Sequence, residues 1–309
     1  MSQIGFSFVN PAPQIDSMYV ANFARRCEEV GAHSFWVLDR IVYDNLEPLT
    51  VLATAAAVTT KIRLGTSVLL APTRQPAILA KTTATLDFLS GGRLILGIGI
   101  GSREPDFAAA HVPFEHRGSR AAETIQLIKK LWTGTPVSHE EKFFRLNSLT
   151  VGPKPVQSPH PPIWMGGGGT EVALKRIARL SDGFICGSSA IPNFASIWPK
   201  IENFAQGMGR NPTHIEKAGL TFMALDDNRA RAVEACAAYL KRYYGSVRVD
   251  IEKTYLVGSP ESCAEKINAF LKCGLNTLII GLVVPELKQF DLFAQRTRPL
   301  IQPNAMTNS

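Results

Sequence analysis

The residues best suited to chemistry in this chain are a glycine run and a carboxylate beside a guanidinium. Gly166, Gly167, Gly168, Gly169 and Thr170 close an apolar segment and open a helical one. Free backbone N–H groups at such a junction, helped by the helix dipole, can cradle a phosphate. Thr170 is placed either to cap the helix or to hydrogen-bond the anion. Gly187, Ser188 and Ser189 end the next apolar segment and are candidates to complete the cradle. The bland alternative is a glycine turn that binds nothing. Asp39 and Arg40 end an earlier segment. That pair suits catalytic or cofactor-orienting work, capture of an acidic substrate, or an internal salt bridge. Glu47 is expected to do structural work against a neighbouring base, and Arg103 begins a loop within reach of polar ligand groups. Arg117 and Arg120 are expected to pair with Glu115 or Glu123.

Other chemistries find little support. His111 and His116 are five apart, so the H-E-x-x-H zinc geometry is missing, and no metal centre is expected. G-x-S-x-G is absent, which argues against a serine hydrolase of that type. The five cysteines (27, 186, 236, 263 and 273) form no CxxC pair and suggest neither a disulfide framework nor a thiolate metal site. The net charge is +7, but the basic residues are scattered without interleaved aromatics, so no nucleic-acid partner is expected. The N-terminus reads as a strand and not as a signal peptide. The longest apolar runs, such as 278–284, are too short to span a bilayer, so no membrane association and a cytoplasmic location are expected.

The elements that must position these residues follow from apolar rhythm. Strands are expected at 4–9, 33–39, 62–70, 93–101, 163–168, 183–189, 218–225 and 276–283. The first four begin 29, 29 and 31 residues apart, the size of a strand–helix–strand unit. They are nearly all apolar, as strands of a parallel sheet covered on both faces must be. Helices between them open at Pro48, Pro76 and Pro260, where the missing N–H costs nothing. The expected fold is therefore α/β, a single (β/α)8 TIM barrel forming one domain over 1–309. An insertion at about 134–162, between strands 4 and 5, is expected to close over the mouth. Gly97, Gly99 and Gly101 alternate along a strand and do not make the G-x-G-x-x-G turn of a dinucleotide fold. They suit a barrel strand whose inner face admits something bulky. In such a barrel the site lies at the C-terminal strand ends. Several of these are small and uncharged, which suits a flat ring, with Ser67 and Val68 placed to support its face.

Taken together, IRLGTSV, ATLDFLSGGRLILGIGIG, PPIWMGG and YLVGSPESCAEKINAF resemble the luciferase-like monooxygenase superfamily over most of residues 1–283. The resemblance implies a ring cofactor near strands two to four and a phosphate contact at Gly166–Thr170, with Gly187–Ser189 nearby. It implies that Ser67-Val68 is a non-prolyl cis peptide bulging towards the ring, and that the protein forms a homodimer through barrel helices. The expected function is a flavin-dependent oxidoreductase, a monooxygenase using reduced FMN and dioxygen on a small organic substrate. That mode calls for a separate flavin reductase. A dehydrogenase or reductase transferring a hydride with the deazaflavin coenzyme F-420 is the alternative, and a non-catalytic flavin-binding protein is a third. Two departures matter. The deazaflavin branch commonly carries Asp-His where this chain has Asp39-Arg40, and luciferase has a phosphate-binding arginine where this chain has Ile100.

Overall fold

In the computed structural model, which describes residues 3–302, the apolar segments become eight parallel strands. They are β1 (Gln3–Phe8), β2 (Ser34–Val37), β3 (Arg63–Thr66), β4 (Leu94–Gly99), β5 (Ile163–Gly166), β6 (Gly183–Gly187), β7 (Glu216–Leu225) and β8 (Thr277–Leu282). Each pairs with the next, and β8 returns to β1 with Gln3 opposite Thr277, so the sheet closes into a barrel. Every residue of β2, β4 and β8 is buried, which is why these segments read as continuous apolar runs. Trp36, Ile95, Trp164, Ile185, Ala218 and Ile279 pack together in one cluster contributed by six of the strands. The expected domain ends, residues 1–2 and 303–309, lie outside the described residues.

The surrounding helices include α1 (Tyr19–Glu29), α2 (Pro48–Val58), α3 (Pro76–Ser90), α4 (Arg117–Leu131), α5 (Glu171–Leu180), α6 (Phe194–Gly207), α7 (Arg229–Tyr244) and α8 (Pro260–Lys272). Their starts carry the expected chemistry. Glu47 caps α2 by accepting from the Thr50 N–H at 2.8 Å, and Ser259 caps α8 with Pro260 next.

Three features differ from the sequence expectation. The third strand, expected to run unbroken over 62–70, breaks at Ser67-Val68, the cis peptide that the resemblance implies, and resumes at Leu69–Leu70 against Ile98 and Gly99. Between β7 and β8 lies an additional short strand, Leu256–Gly258, paired with Met223–Leu225. Three residues are too few to show an alternation. The inserted segment forms an antiparallel hairpin (Val137–Glu140 with Arg145–Leu149) on the flank of α4 and does not close over the mouth. Glu123 of α4 holds it by accepting from the Phe143 and Phe144 N–H groups. Its return passes under the barrel: Val156 and Gln157 donate to Asp87 at the end of α3, and the Gln157 amide donates to the Leu94 carbonyl, where β4 begins.

Candidate active site

A cavity of about 310 Å³ opens at the C-terminal ends of β2 to β7. Asp39, Arg40, Ser67, Val68, Gly166, Gly167 and Gly187, all expected site residues, line it. Val68, beyond the cis peptide, is wedged between two strands, and the glycines on either side make the room. A Cβ on Gly99 would meet the Val68 side chain at 2.3 Å, and one on Gly166 at 2.7 Å. Gly99, one of the alternating glycines, and Gly166 thus admit Val68, with the floor of the cavity built on it.

Asp39 and Arg40 do not pair with each other. Each has its own buried partner. Asp39 accepts from the Leu70 N–H at 2.8 Å and from both terminal nitrogens of Arg74, at 2.6 and 3.2 Å. Burial pushes the Asp39 carboxyl up, while the Arg74 guanidinium and the Leu70 amide pull it back. Glu47 lies 3.4 Å from the same Arg74. Arg40 donates through Nε to Asp106 at 2.6 Å, and Asp106 also accepts from the Ile41 and Val42 N–H groups. One guanidinium nitrogen, Arg40 Nη1, is buried with no partner among the described residues. Such a donor is costly unless something binds it. The rings of Tyr43 and Tyr243 lie 5.8 and 5.6 Å from this guanidinium.

Arg117 and Arg120 form no ion pair with Glu115 or Glu123. Arg117 donates to the Gly101 carbonyl and Arg120 to the Pro72 carbonyl, each beside an aromatic ring. Glu115 is exposed and would have to be ordered to pair, and the buried Glu123 is taken up by the Phe143 and Phe144 N–H groups and His139.

Gly167, Gly168 and Gly169 take φ of +145°, +130° and +93°, a region that favours glycine at all three positions. The amides of Gly168, Gly169 and Thr170 have no acceptor among the described residues, and no atom lies within 4 Å of a Cβ built at 167 or 169. The backbone is therefore open to a ligand at the start of α5. Thr170 itself caps α5, its hydroxyl accepting from the Ala173 N–H at 3.3 Å. Gly168, Gly169 and Thr170 do not line the 310 Å³ cavity. Ser188 and Ser189 line a second, adjoining cavity, where the Ser188 hydroxyl donates to the Leu220 carbonyl. Sequence reasoning missed Arg74, Asp106, Tyr243 and Tyr244. The first two are isolated charges in loops or short helices, and the tyrosines sit at the end of a long amphipathic helix. None carries a local signal.

Glu123, His139 and Glu141 place their ligand atoms within 4.8 Å of one another. Glu123 is already committed to two backbone amides and, at 3.1 Å, to His139, so this cluster fastens the hairpin.

The family model for luciferase-like monooxygenases matches residues 6–277. An F420-dependent glucose-6-phosphate dehydrogenase of Kineococcus radiotolerans is 33% identical, over 92% of this chain and 93% of its own. A 5,10-methylenetetrahydromethanopterin reductase of Methanopyrus kandleri is 27% identical, over 97% of this chain and 99% of its own. The structure of an F420-dependent secondary alcohol dehydrogenase superposes with a TM-score of 0.84 at 23% identity, covering 98% of this chain and 99% of that one.

Proposed function

The chain belongs to the luciferase-like monooxygenase family, and from that premise we propose that it is an oxidoreductase working with a flavin-type ring in the barrel-mouth cavity. The observation that carries the reading is the cavity floor. Val68, seated between Gly99 and Gly166, presents an apolar bulge beneath a space of about 310 Å³, within the range of small-molecule sites. The buried, unpartnered Arg40 Nη1 supplies a donor for an electron-rich ring edge, and the free amides of Gly168 to Thr170 supply a seat for an anionic chain. The residues present thus fit a flat, phosphate-bearing group.

When bound, FMN would supply oxygen activation, or the deazaflavin hydride transfer; the protein supplies orientation and electrostatics. The Arg40 guanidinium offers N–H donors only and no acceptor atom. Its role is to hold negative charge. Asp39 ties Arg74 and the Leu70 amide together, keeping the cis bulge and the β2 end in register. Tyr243 and Tyr244 have their phenols pushed up by burial, so both remain neutral donors at the cavity edge.

The names of the curated relatives support the deazaflavin. Arg40 in place of histidine, and the description of the matching family, support an FMN monooxygenase fed by a separate flavin reductase. Both readings take a small-molecule substrate. We also propose a homodimer, because α3 leaves Ile78, Phe88 and Leu89 more than half exposed. Among the described residues no helix is long and apolar enough to cross a membrane. The reading places the enzyme in the cytoplasm.

Anaerobic titration of the purified protein with FMN and with the deazaflavin, oxidised and reduced, tests the proposal. Preference for reduced FMN selects the monooxygenase, and preference for the deazaflavin selects hydride transfer. Tight binding without turnover of reductant selects a flavin-binding protein. Binding of neither sinks the reading.

A further inference from the structure

The ring cavity opens into a second one of about 520 Å³, the two sharing Ser102, Arg103, Gly187 and Tyr244. The two differ in charge balance. In the ring cavity Asp39 meets Arg74 and Asp106 meets Arg40. The second cavity has Arg103 and Arg248 in its wall and no carboxylate. Arg103 forms no ion pair or hydrogen bond among the described residues. Its guanidinium is held only beside the rings of Tyr243 and Tyr244, at 5.8 and 5.3 Å. Arg248 makes one contact, to the Ser246 hydroxyl at 3.1 Å. Two uncompensated cations in one cleft focus a positive field, and their forked donors match a carboxylate or a phosphate ester. Leu240, Val247, Val249 and Tyr255 supply an apolar part of the wall, and Ser102, Ser188, Ser189 and Ser246 a neutral polar part.

We infer that this second cavity is the substrate seat, and that the substrate is an amphiphilic anion. Its carbon body lies on the apolar wall and its carboxylate or phosphate-ester head meets Arg103 and Arg248. The inference rests on the ring reading above, because the shared rim is what brings such a ligand to the ring. The cofactor's own anionic chain is the other source of the same chemistry. The free amides of Gly168 to Thr170 already offer that chain a place.

Isothermal titration of the full chain, with and without FMN, using octanoate, octyl phosphate and neutral octanamide, tests this. The wild type is expected to bind both anions at least about tenfold more tightly than the amide, the scale of a charge-assisted pair. Arg103→Gln with Arg248→Gln should bring the three to parity while leaving octanamide affinity unchanged. Arg248→Gln alone, at an exposed position, should lose part of the preference with no change in Tm. Equal affinities for octanoate and octanamide in the wild type overturn the inference. So does a double variant that keeps the anion preference but loses the preference for FMN over riboflavin, which would assign the arginines to the cofactor's phosphate. Failure of the ring reading looks different: no flavin binds, while the anion preference and its dependence on the two arginines persist.

Discussion

At the scale of single residues, the site is built from absences as much as from groups. Val68 occupies the barrel mouth because Gly99 and Gly166 have no side chains. A methyl at position 99 would lie 2.3 Å from Val68 Cγ2, so Gly99→Ala should cost about 1–3 kcal/mol in urea denaturation. Adding Val68→Ala should recover much of that loss, since the pair touches and cannot be additive. Full additivity in the cycle would show that the clash is relieved elsewhere. The Asp39–Arg74 pair invites a second measurement. Asp39 is almost wholly buried, and Arg74 is its ionic partner and two of its three donors. Arg74→Met strands a buried carboxylate and should lower stability by about 3 kcal/mol, with Asp39→Asn added on top restoring part of it. An unchanged denaturation midpoint in Arg74→Met would mean that Asp39 is already protonated.

At the scale of elements, the ends of β2 to β7 deliver the residues that line the cavity, while the opposite ends of the strands carry structural contacts. His33, just before β2, shows the second kind. Burial, aided by the nearby Arg63, pulls its pKa down to about 4. The unfolded chain takes up a proton near the ordinary 6.5 while the folded chain resists until about 4. Stability from this group is therefore complete above pH 6.5 and is lost as pH falls towards 4. Thermal melts over that window should show a fall in Tm that is shallower in His33→Gln. Identical slopes would place the loss elsewhere. The hairpin within 134–162 teaches a different lesson. Its interruption of the strand–helix rhythm made it legible as an insertion, but nothing in the sequence told which end of the barrel it serves. That depended on two buried carboxylates, Asp87, 69 and 70 residues from its partners, and Glu123 of the preceding helix, each accepting from the segment's backbone amides.

At the scale of the whole molecule, the closed barrel leaves only helix faces for association. Ile78, Thr82, Thr85 and Leu89 follow one another along α3, with Phe88 beside them and Val156 of the inserted segment adjoining its end. If this face joins two copies, Ile78→Glu with Phe88→Lys should halve the mass seen by light scattering and leave flavin affinity within about twofold, as neither residue lines the cavity. A wild-type protein that is already monomeric would end the proposal.

What the sequence determined by itself was everything governed by short-range periodicity and backbone chemistry. Four apolar runs that begin 29 to 31 residues apart point to parallel strands with crossover helices, and with the four later runs they make the eight that close a barrel. A glycine run before a capped helix leaves amides free wherever the helix lies, so the free amides of Gly168 to Thr170 were legible from residue types alone. Which charge meets which was decided only by the tertiary structure. Asp39 and Arg40 are neighbours in the chain, yet alternation along the β2 end sends one to Arg74 and the other to Asp106, 35 and 66 residues away. Such partners are chosen by barrel closure, which sets distances that no local pattern encodes. The same closure brings Arg103 and Arg248 into one cavity from opposite halves of the sequence.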